Sequence, residues 1–348
     1  MPTPEPSQQA ETTDVPEPEQ AGAVGSDPWE QMPEDALNRP NLGSADDGAS
    51  GTGAEAGGAV QPDGEPSADG VDGDPGGDSG RAPSGSWADF LPSPVFVLLL
   101  GLTGFAGWLS WQAVELDWAA DGTNVTPLIP PLLILLGWIA SLAVHEFAHA
   151  LAAYLAGDRS LRGSAYLRLN PFAYRQAFAG LVLPSVYLCL GAFGLTGPPT
   201  YVDWARIPSR GRRALVALAG PLASLLLAAA LAAAVSVLVP PGNDTTNWAI
   251  SAMALLCFAN LTTALVNLLP VPGLDGFEVL AARARSPWIR TARANALFGS
   301  VAVFAVLWFP GLNDALVNLV YALFDLVLPN PVFAGIAFYG ELLLQFWV

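Results

Sequence analysis

The sequence predicts an all-α polytopic membrane protein with about six to seven transmembrane helices, one re-entrant segment and a disordered N-terminal tail. Two observations favour this class. Of the 348 residues, 52% are hydrophobic although the formal net charge is −17, and these two properties rarely describe one uniform globular domain. From Pro94 onward, uncharged stretches recur that are long enough to cross a hydrocarbon core about 30 Å thick.

The N-terminal tail, residues 1–90, accounts for the whole net charge. It holds 19 of the 31 acidic residues and only Arg39 and Arg81 as bases. It is rich in Pro, Gly, Ser, Asp and Glu, so it cannot bury enough apolar area to offset the entropy of ordering. We therefore predict a disordered acidic tail over 1–90 and a membrane domain over 91–348. The N-terminus lacks the pattern of a cleavable signal peptide.

Eight apolar segments follow the tail. They do not alternate polar and apolar faces as the helices of a soluble protein would. Their bounds are 94–114, 129–156, 177–197, 214–239, 249–270, 295–310, 313–328 and 331–348.

The distribution of arginine in the connecting loops predicts the orientation in the cell membrane, because positive residues stay on the cytoplasmic side. Two loops, 115–126 and 240–248, contain no arginine, whereas the loops 157–176, 198–213 and 281–294 contain four each. The first two are therefore predicted to face outward and the other three to face the cytoplasm. The N-terminal tail is then cytoplasmic.

Segment 177–197 departs from this alternation. It has a four-arginine loop on each side and Pro184 near its middle. We expect it to enter and leave on the cytoplasmic face as a re-entrant hairpin, whose non-helical backbone must be covered by protein.

The two histidines of the chain, His145 and His149, lie four residues apart on one apolar predicted helix, with Glu146 beside the first. This spacing places both imidazoles on one helix face, where they can share one Zn²⁺ while the glutamate accepts a proton from water. An ionisable group within a membrane span costs at least about 2.5 kcal/mol and so indicates a function. A structural alternative has the histidines bonding between helices and Glu146 pairing with an arginine of loop 157–176.

A zinc ion held by two histidines needs a further protein ligand and one position for water. Asp275 is the candidate, because it follows segment 249–270 after a Pro-Val-Pro break that frees backbone groups. Asn267 lies near the end of the same segment, where it forms a polar stripe with Asn260 and Thr263. Two alternatives stay open: Asp275 caps the next helix with Glu278 completing a capping box, and Asn267 bonds a neighbouring helix.

An HExxH motif on one membrane helix and an NxxPxPxLDG motif at the end of a later one resemble the site-2 protease family of intramembrane zinc metalloproteases. The resemblance covers about residues 129–285, and the Gly220-Pro221 pair between the motifs also resembles the family. Every fixed position of the second motif is matched, by Asn267, Pro270, Pro272, Leu274, Asp275 and Gly276.

The resemblance implies that His145, His149 and Asp275 bind one Zn²⁺ per chain. It further implies that Glu146 is the general base and acid, and that Asn267 contacts the substrate backbone or the developing oxyanion. The implied reaction is hydrolysis of a peptide bond in the cytoplasmic half of the bilayer. In bacterial relatives the substrate is often a membrane-anchored regulator that another protease has already cut.

One departure from the family concerns the segment after Asn170-Pro171. Many bacterial members continue with His-x-Asp-Pro, whereas this chain has Tyr174-Arg175-Gln176-Ala177. The resemblance therefore assigns no role to this segment.

Three other functions remain open on the sequence. The first is an inactive zinc-binding membrane scaffold. The second is a transporter that uses an intramembrane His and Glu site, although such proteins commonly carry internal repeats. The third is a different HExxH membrane protease whose third ligand is Glu278 or Glu341.

Nucleic-acid binding is not expected, because all 14 basic residues are arginine and they form no basic tract. Cys189 and Cys257 both lie in apolar runs, so we expect neither a disulfide framework nor a cysteine metal site.

Overall fold

The computed structural model describes residues 90–113, 128–191, 193–197, 201–284 and 287–346. All regular secondary structure in these ranges is helical, so the predicted all-α class is confirmed. The predicted acidic tail lies outside the described residues except for Phe90, and it stays a prediction.

Ten α-helices are described. They are α1 (Pro94–Gln112), α2 (Ile129–Ala156), α3 (Leu183–Gly191), α4 (Arg210–Leu238), α5 (Trp248–Asn267), α6 (Asp275–Ala281), α7 (Trp288–Ala294), α8 (Ala296–Leu307), α9 (Pro310–Val327) and α10 (Phe333–Leu344). Within the described ranges, α1, α2, α4 and α5 are each long and apolar enough to cross a membrane, which makes the chain a multi-pass membrane protein.

The described residues hold four candidate spans, or five if α8 and α9 form one bent span, which is fewer than the six to seven predicted. Helix α8 has 12 residues and bends by 89° into α9, and α10 also has only 12 residues. Twelve residues cover about 18 Å at a rise of 1.5 Å each, well short of the roughly 30 Å core. Apolar composition marked these segments, but it did not reveal where their helices begin and end.

Helices α2, α4 and α5 form the centre of the bundle. Ile134, Trp138 and Leu142 of α2 pack in one buried cluster with Leu255 and Ala259 of α5. Almost all of α5 is buried, while α1 covers α2, and α10 covers the first half of α5. Because almost every side of α5 is enclosed by protein, α5 is the interior element of the bundle.

Segment 177–197 forms a hairpin. A π-helical turn, Phe178–Val182, leads into α3, and the chain then returns without helix over 193–197. Gly197 lies so close to the carbonyl oxygen of Ala179 that a Cβ on Gly197 would overlap it. The two ends of the segment therefore meet, as expected for a re-entrant hairpin.

The hairpin is anchored to the bundle by hydrogen bonds. The Trp138 indole donates to the Pro184 carbonyl at 3.3 Å, and the Gly194 amide donates to Thr262 Oγ1 at 2.8 Å. The first bond holds α3 against α2, and the second satisfies an amide of the non-helical backbone, as a membrane interior requires. Gly194 lies close to Trp138 of α2 and to Ala259 and Thr263 of α5.

Candidate metal centre

Three metal-ligating side chains converge at the centre of the bundle. The two histidine Nε2 atoms are 3.2 Å apart. His145 Nε2 lies 3.3 Å from Asp275 Oδ2, and His149 Nε2 lies 3.1 Å from Asp275 Oδ1. All three side chains are 1% exposed. Among the described residues, these three form the one group of His, Cys, Asp or Glu side chains able to hold a metal.

The spacing of these atoms fits a zinc ion. Ligand atoms about 2.0–2.1 Å from a tetrahedral zinc lie roughly 3.3 Å from one another. The two Nε2 atoms are 3.2 Å apart, and each lies 3.1–3.3 Å from one of the two Asp275 carboxylate oxygens, which is close to this value. A His-His-carboxylate donor set also leaves a fourth position for water, as in catalytic zinc sites.

The outer nitrogen of each imidazole has its own hydrogen-bond partner. His149 Nδ1 donates to the Val216 carbonyl at 2.7 Å, which leaves the Nε2 lone pair for the metal. His145 Nδ1 lies 2.9 Å from Ser224 Oγ. Both partners lie on α4, and such second partners fix the ring orientation and the tautomer of a ligating histidine. Val216 and Ser224 could not be predicted from the sequence, because a backbone carbonyl and a serine in a helix rich in Ala and Leu carry no recognisable pattern.

Gly220 of α4 makes room for the metal site. A Cβ at this position would lie 2.5 Å from His145 Nε2 and still closer to His149 Nε2. The glycine of the Gly220-Pro221 pair therefore lets α4 approach the face of α2 that carries the histidines. The following proline stays within α4, which continues to Leu238.

Substitution of Gly220 by alanine is expected to displace the histidine rings and lower zinc affinity about 10- to 100-fold, the range seen when groups that orient ligands are changed. Zinc per chain, measured on purified full-length protein by atomic absorption, tests this. Gly104→Ala is the matched control, because a Cβ on Gly104 meets no atom within 4 Å. Full zinc occupancy in Gly220→Ala at limiting zinc would contradict the expectation.

Asp275 is the first residue of α6. The non-helical segment between α5 and α6 directs its carboxylate at the histidines. The N-cap position is occupied by Leu274, and no side chain caps the helix. Gly273 has φ +100°, a conformation that favours glycine. Glu278 forms an ion pair with Arg293, with Nε 2.9 Å from Oε1. The capping-box alternative is therefore wrong, and Glu278 is engaged elsewhere.

Glu146 lies beside the metal ligands and is 3% exposed. Its Oε2 atom is buried without a hydrogen-bond partner, so an arginine of loop 157–176 does not pair with that oxygen. The Tyr201 hydroxyl donates to the Glu146 backbone carbonyl at 2.9 Å. One carboxylate oxygen is thus free for a proton or a water molecule.

Asn267 ends α5 and points into the same site. Its Nδ2 donates to Thr196 Oγ1 of the hairpin, its Oδ1 is buried without a partner, and Thr196 Oγ1 lies 3.5 Å from His145 Nε2. Asn267 therefore does bond a neighbouring segment, but with only part of its amide. Thr196 could not be predicted from the sequence either, since a threonine in a loop is too common to indicate a site.

The protein has several helices able to span a membrane, and its interior holds the two histidines of the HExxH motif beside a carboxylate from a distant helix. These features define it as a multi-pass membrane metalloprotein. Over 260 residues, the chain is 37% identical to "Putative zinc metalloprotease Rip2" of Mycobacterium tuberculosis, with 74% of this chain and 94% of the relative covered. A protein of the same name from Mycolicibacterium smegmatis is 33% identical with the same coverage.

A more distant relative is "Putative zinc metalloprotease YwhC" of Bacillus subtilis, which is 30% identical over 193 residues, covering 54% of this chain and 84% of the relative. No family model matches the chain, and no solved structure matches it. The chain belongs to the site-2 protease family of zinc metalloproteases, and the resemblance found in its two motifs is confirmed.

Proposed function

We propose that the protein is an intramembrane zinc endopeptidase that cleaves membrane-spanning or membrane-anchored substrates near the arginine-rich, cytoplasmic half of the bilayer. One observation carries this proposal. The bundle encloses a His-His-Asp group arranged to bind zinc, formed by His145, His149 and Asp275. Glu146, next to His145 in the chain, has one carboxylate oxygen without a hydrogen-bond partner.

Bound zinc would polarise the scissile carbonyl and lower the pKa of water toward about 7. Glu146 would accept the proton of the attacking water and then deliver it to the leaving amine. Its lack of an arginine partner at Oε2 supports this role, because an ion-paired carboxylate would be a weaker base.

Asn267 would bind the substrate next to the reacting carbonyl. One of its two N–H donors is used by Thr196, which leaves the second donor and the unpartnered Oδ1 for a peptide group. A buried amide that lacks partners in this way is costly unless a ligand supplies them. The hydrogen bond to Thr196 would hold the amide in the orientation that receives the substrate.

The substrate must be unwound before attack, because a helix hides its carbonyls in i to i−4 hydrogen bonds. Residues 268–270, just before Asp275, are exposed, and the prolines at 270 and 272 interrupt the helix there. This irregular backbone provides an edge with which an extended substrate strand can pair.

An apolar cavity of about 630 Å³ lies between α1 and the central helices. Its lining includes Phe96, Trp108, Leu231, Met253 and, one turn before His145, Ser141. A cavity with this lining suits an apolar segment rather than a water-soluble peptide. It supports the membrane location of the substrate, which we expect to be a membrane protein, including anchored regulators already cut by another protease.

Comparison of membrane proteins from cells expressing the wild type or Glu146→Gln tests the proposed function. Fragments found only with the wild type should have new termini inside predicted membrane spans, toward the cytoplasmic end. Glu341→Gln is the matched control, since Glu341 lies on α10, outside the metal group. Identical fragments from the wild type and Glu146→Gln would favour the zinc-binding scaffold or the transporter instead, and new termini confined to soluble loops would contradict intramembrane cleavage.

A further inference from the structure

A second feature of the site is a small cavity on the side of Glu146 that faces the arginine-rich loops. Three tyrosines enclose it together with Gln176, Ala179 and Gly180; they are Tyr166, Tyr174 and Tyr201. Tyr174 lies in the segment after Asn170-Pro171, to which the sequence assigned no role. The structure brings this segment directly to the catalytic glutamate.

The tyrosines form one stack. The ring of Tyr166 lies between the other two, with centroids 4.3 Å from Tyr174 and 3.6 Å from Tyr201 and interplanar angles of 13° and 16°. Tyr201 is tied to the backbone of Glu146 by its hydrogen bond. The stack therefore fixes the position of the Tyr174 ring relative to Glu146.

Two polar atoms at this cavity lack partners. Tyr174 is 5% exposed, and its hydroxyl is buried without a hydrogen-bond partner, as is Glu146 Oε2. Leaving a buried polar atom unpaired costs about 1–3 kcal/mol, so two of them at one cavity indicate a bound molecule.

The size of the cavity indicates which molecule this is. The volume open to a water-sized sphere is about 10 Å³, which is close to the space that one buried water needs. The Tyr174 hydroxyl can donate to such a water, because burial, with the charge of Glu146 as a second cause, raises the pKa of this phenol well above its ordinary value.

We propose that Tyr174 is a positioning residue whose hydroxyl holds a water against Glu146 Oε2, and that this cavity is the port through which hydrolytic water enters. The proposal rests on the proposed protease function. Each cleaved peptide bond consumes one water, whose OH joins the carbonyl carbon and whose remaining hydrogen goes to the amine. A site buried in a bundle therefore needs a route for that water, and the tyrosine cavity joins Glu146 to residues of the two arginine-rich loops, 157–176 and 198–213.

Two variants of the full-length protein in lipid vesicles test the port. Tyr174→Phe removes the hydroxyl and keeps the ring stack. Gly180→Ala keeps the hydroxyl but takes up cavity space, and its new Cβ would lie at an ordinary 3.5 Å from the Tyr174 ring. Tyr321→Phe on α9 is the matched control, because that ring packs against Phe258 and Phe324, which do not line the cavity.

We expect both variants to lower kcat roughly 10-fold, a part of the 10²–10⁴-fold that acid–base catalysis supplies. KM and zinc per chain should stay unchanged, which a merely structural defect would not allow. The infrared band of the Glu146 carboxyl group, identified as the band lost in Glu146→Gln, should shift in Tyr174→Phe without any substrate present.

An unshifted band would overturn the bound water whether or not the protein is a protease. A shifted band with wild-type kcat in both variants would overturn the port, and so would a loss of zinc that accounts for the loss of rate. Failure of the protease function itself would appear separately, as equal cleavage by the wild type and Glu146→Gln.

Discussion

Glu146→Gln is expected to abolish cleavage while one zinc per chain stays bound. The amide has the same shape as the carboxylate but cannot accept a proton, and loss of a general base commonly lowers kcat by about 10²–10⁴-fold. Zinc should be retained because the three ligand atoms, His145 Nε2, His149 Nε2 and a carboxylate oxygen of Asp275, are left in place. The measurement is turnover of a membrane-anchored substrate together with zinc per chain.

Glu341→Gln provides the comparison for this variant, since it makes the same chemical change outside the metal group and should leave turnover unchanged. A fully active Glu146→Gln protein would end the assignment of Glu146 as the base. Loss of zinc from Glu146→Gln would show instead that the side chain supports the metal.

The second large effect concerns the third ligand. Asp275→Asn is expected to lower zinc affinity by at least about 100-fold, because even partners outside the ligand set change affinity by about 10–100-fold. The substitution replaces a carboxylate, whose Oδ2 lies 3.3 Å from His145 Nε2 and whose Oδ1 lies 3.1 Å from His149 Nε2, by a neutral amide. Competition with a zinc chelator of known affinity measures the change, and cleavage should fall with zinc occupancy.

Glu278→Gln separates this role from the alternative in which Glu278 binds the metal. It removes a charge three residues further along α6, but that charge is paired with Arg293. We expect zinc affinity to be kept in Glu278→Gln. The opposite pattern, with zinc kept in Asp275→Asn and lost in Glu278→Gln, would reverse the assignment.

The helical class and the group formed by His145, His149 and Asp275 could both be predicted from the sequence, because both depend on local patterns. Hydropathy identifies long uncharged segments. The spacing of His145 and His149 places both on one helix face, independently of the tertiary structure. Asp275 could be predicted as the third ligand because the NxxPxPxLDG motif contains both the prolines that break the helix and Asp275 itself.

The remaining parts of the site could not be predicted, because they depend on which segments meet in space. No sequence motif marks Ser224, Thr196 or Tyr174. Only the tertiary packing brings them close to the histidines or to Glu146. The number of spans was overestimated for a similar reason. Hydropathy averages the composition of a stretch of sequence. The break before Pro310 turns the chain between α8 and α9, but it leaves that composition apolar, so hydropathy does not detect it.

The proposed metal ligands lie on two separate helices, α2 and α6, which are joined in the chain through α3, α4 and α5. A zinc ion bound there acts as a cross-link, since it binds the folded bundle and the ligands are dispersed in the unfolded chain. Its binding energy therefore adds to the free energy of unfolding, by about 4.1 kcal/mol when free zinc is 1,000 times the dissociation constant. Catalytic competence and resistance to unfolding are thus coupled through one ion, and a chain deprived of zinc loses both together.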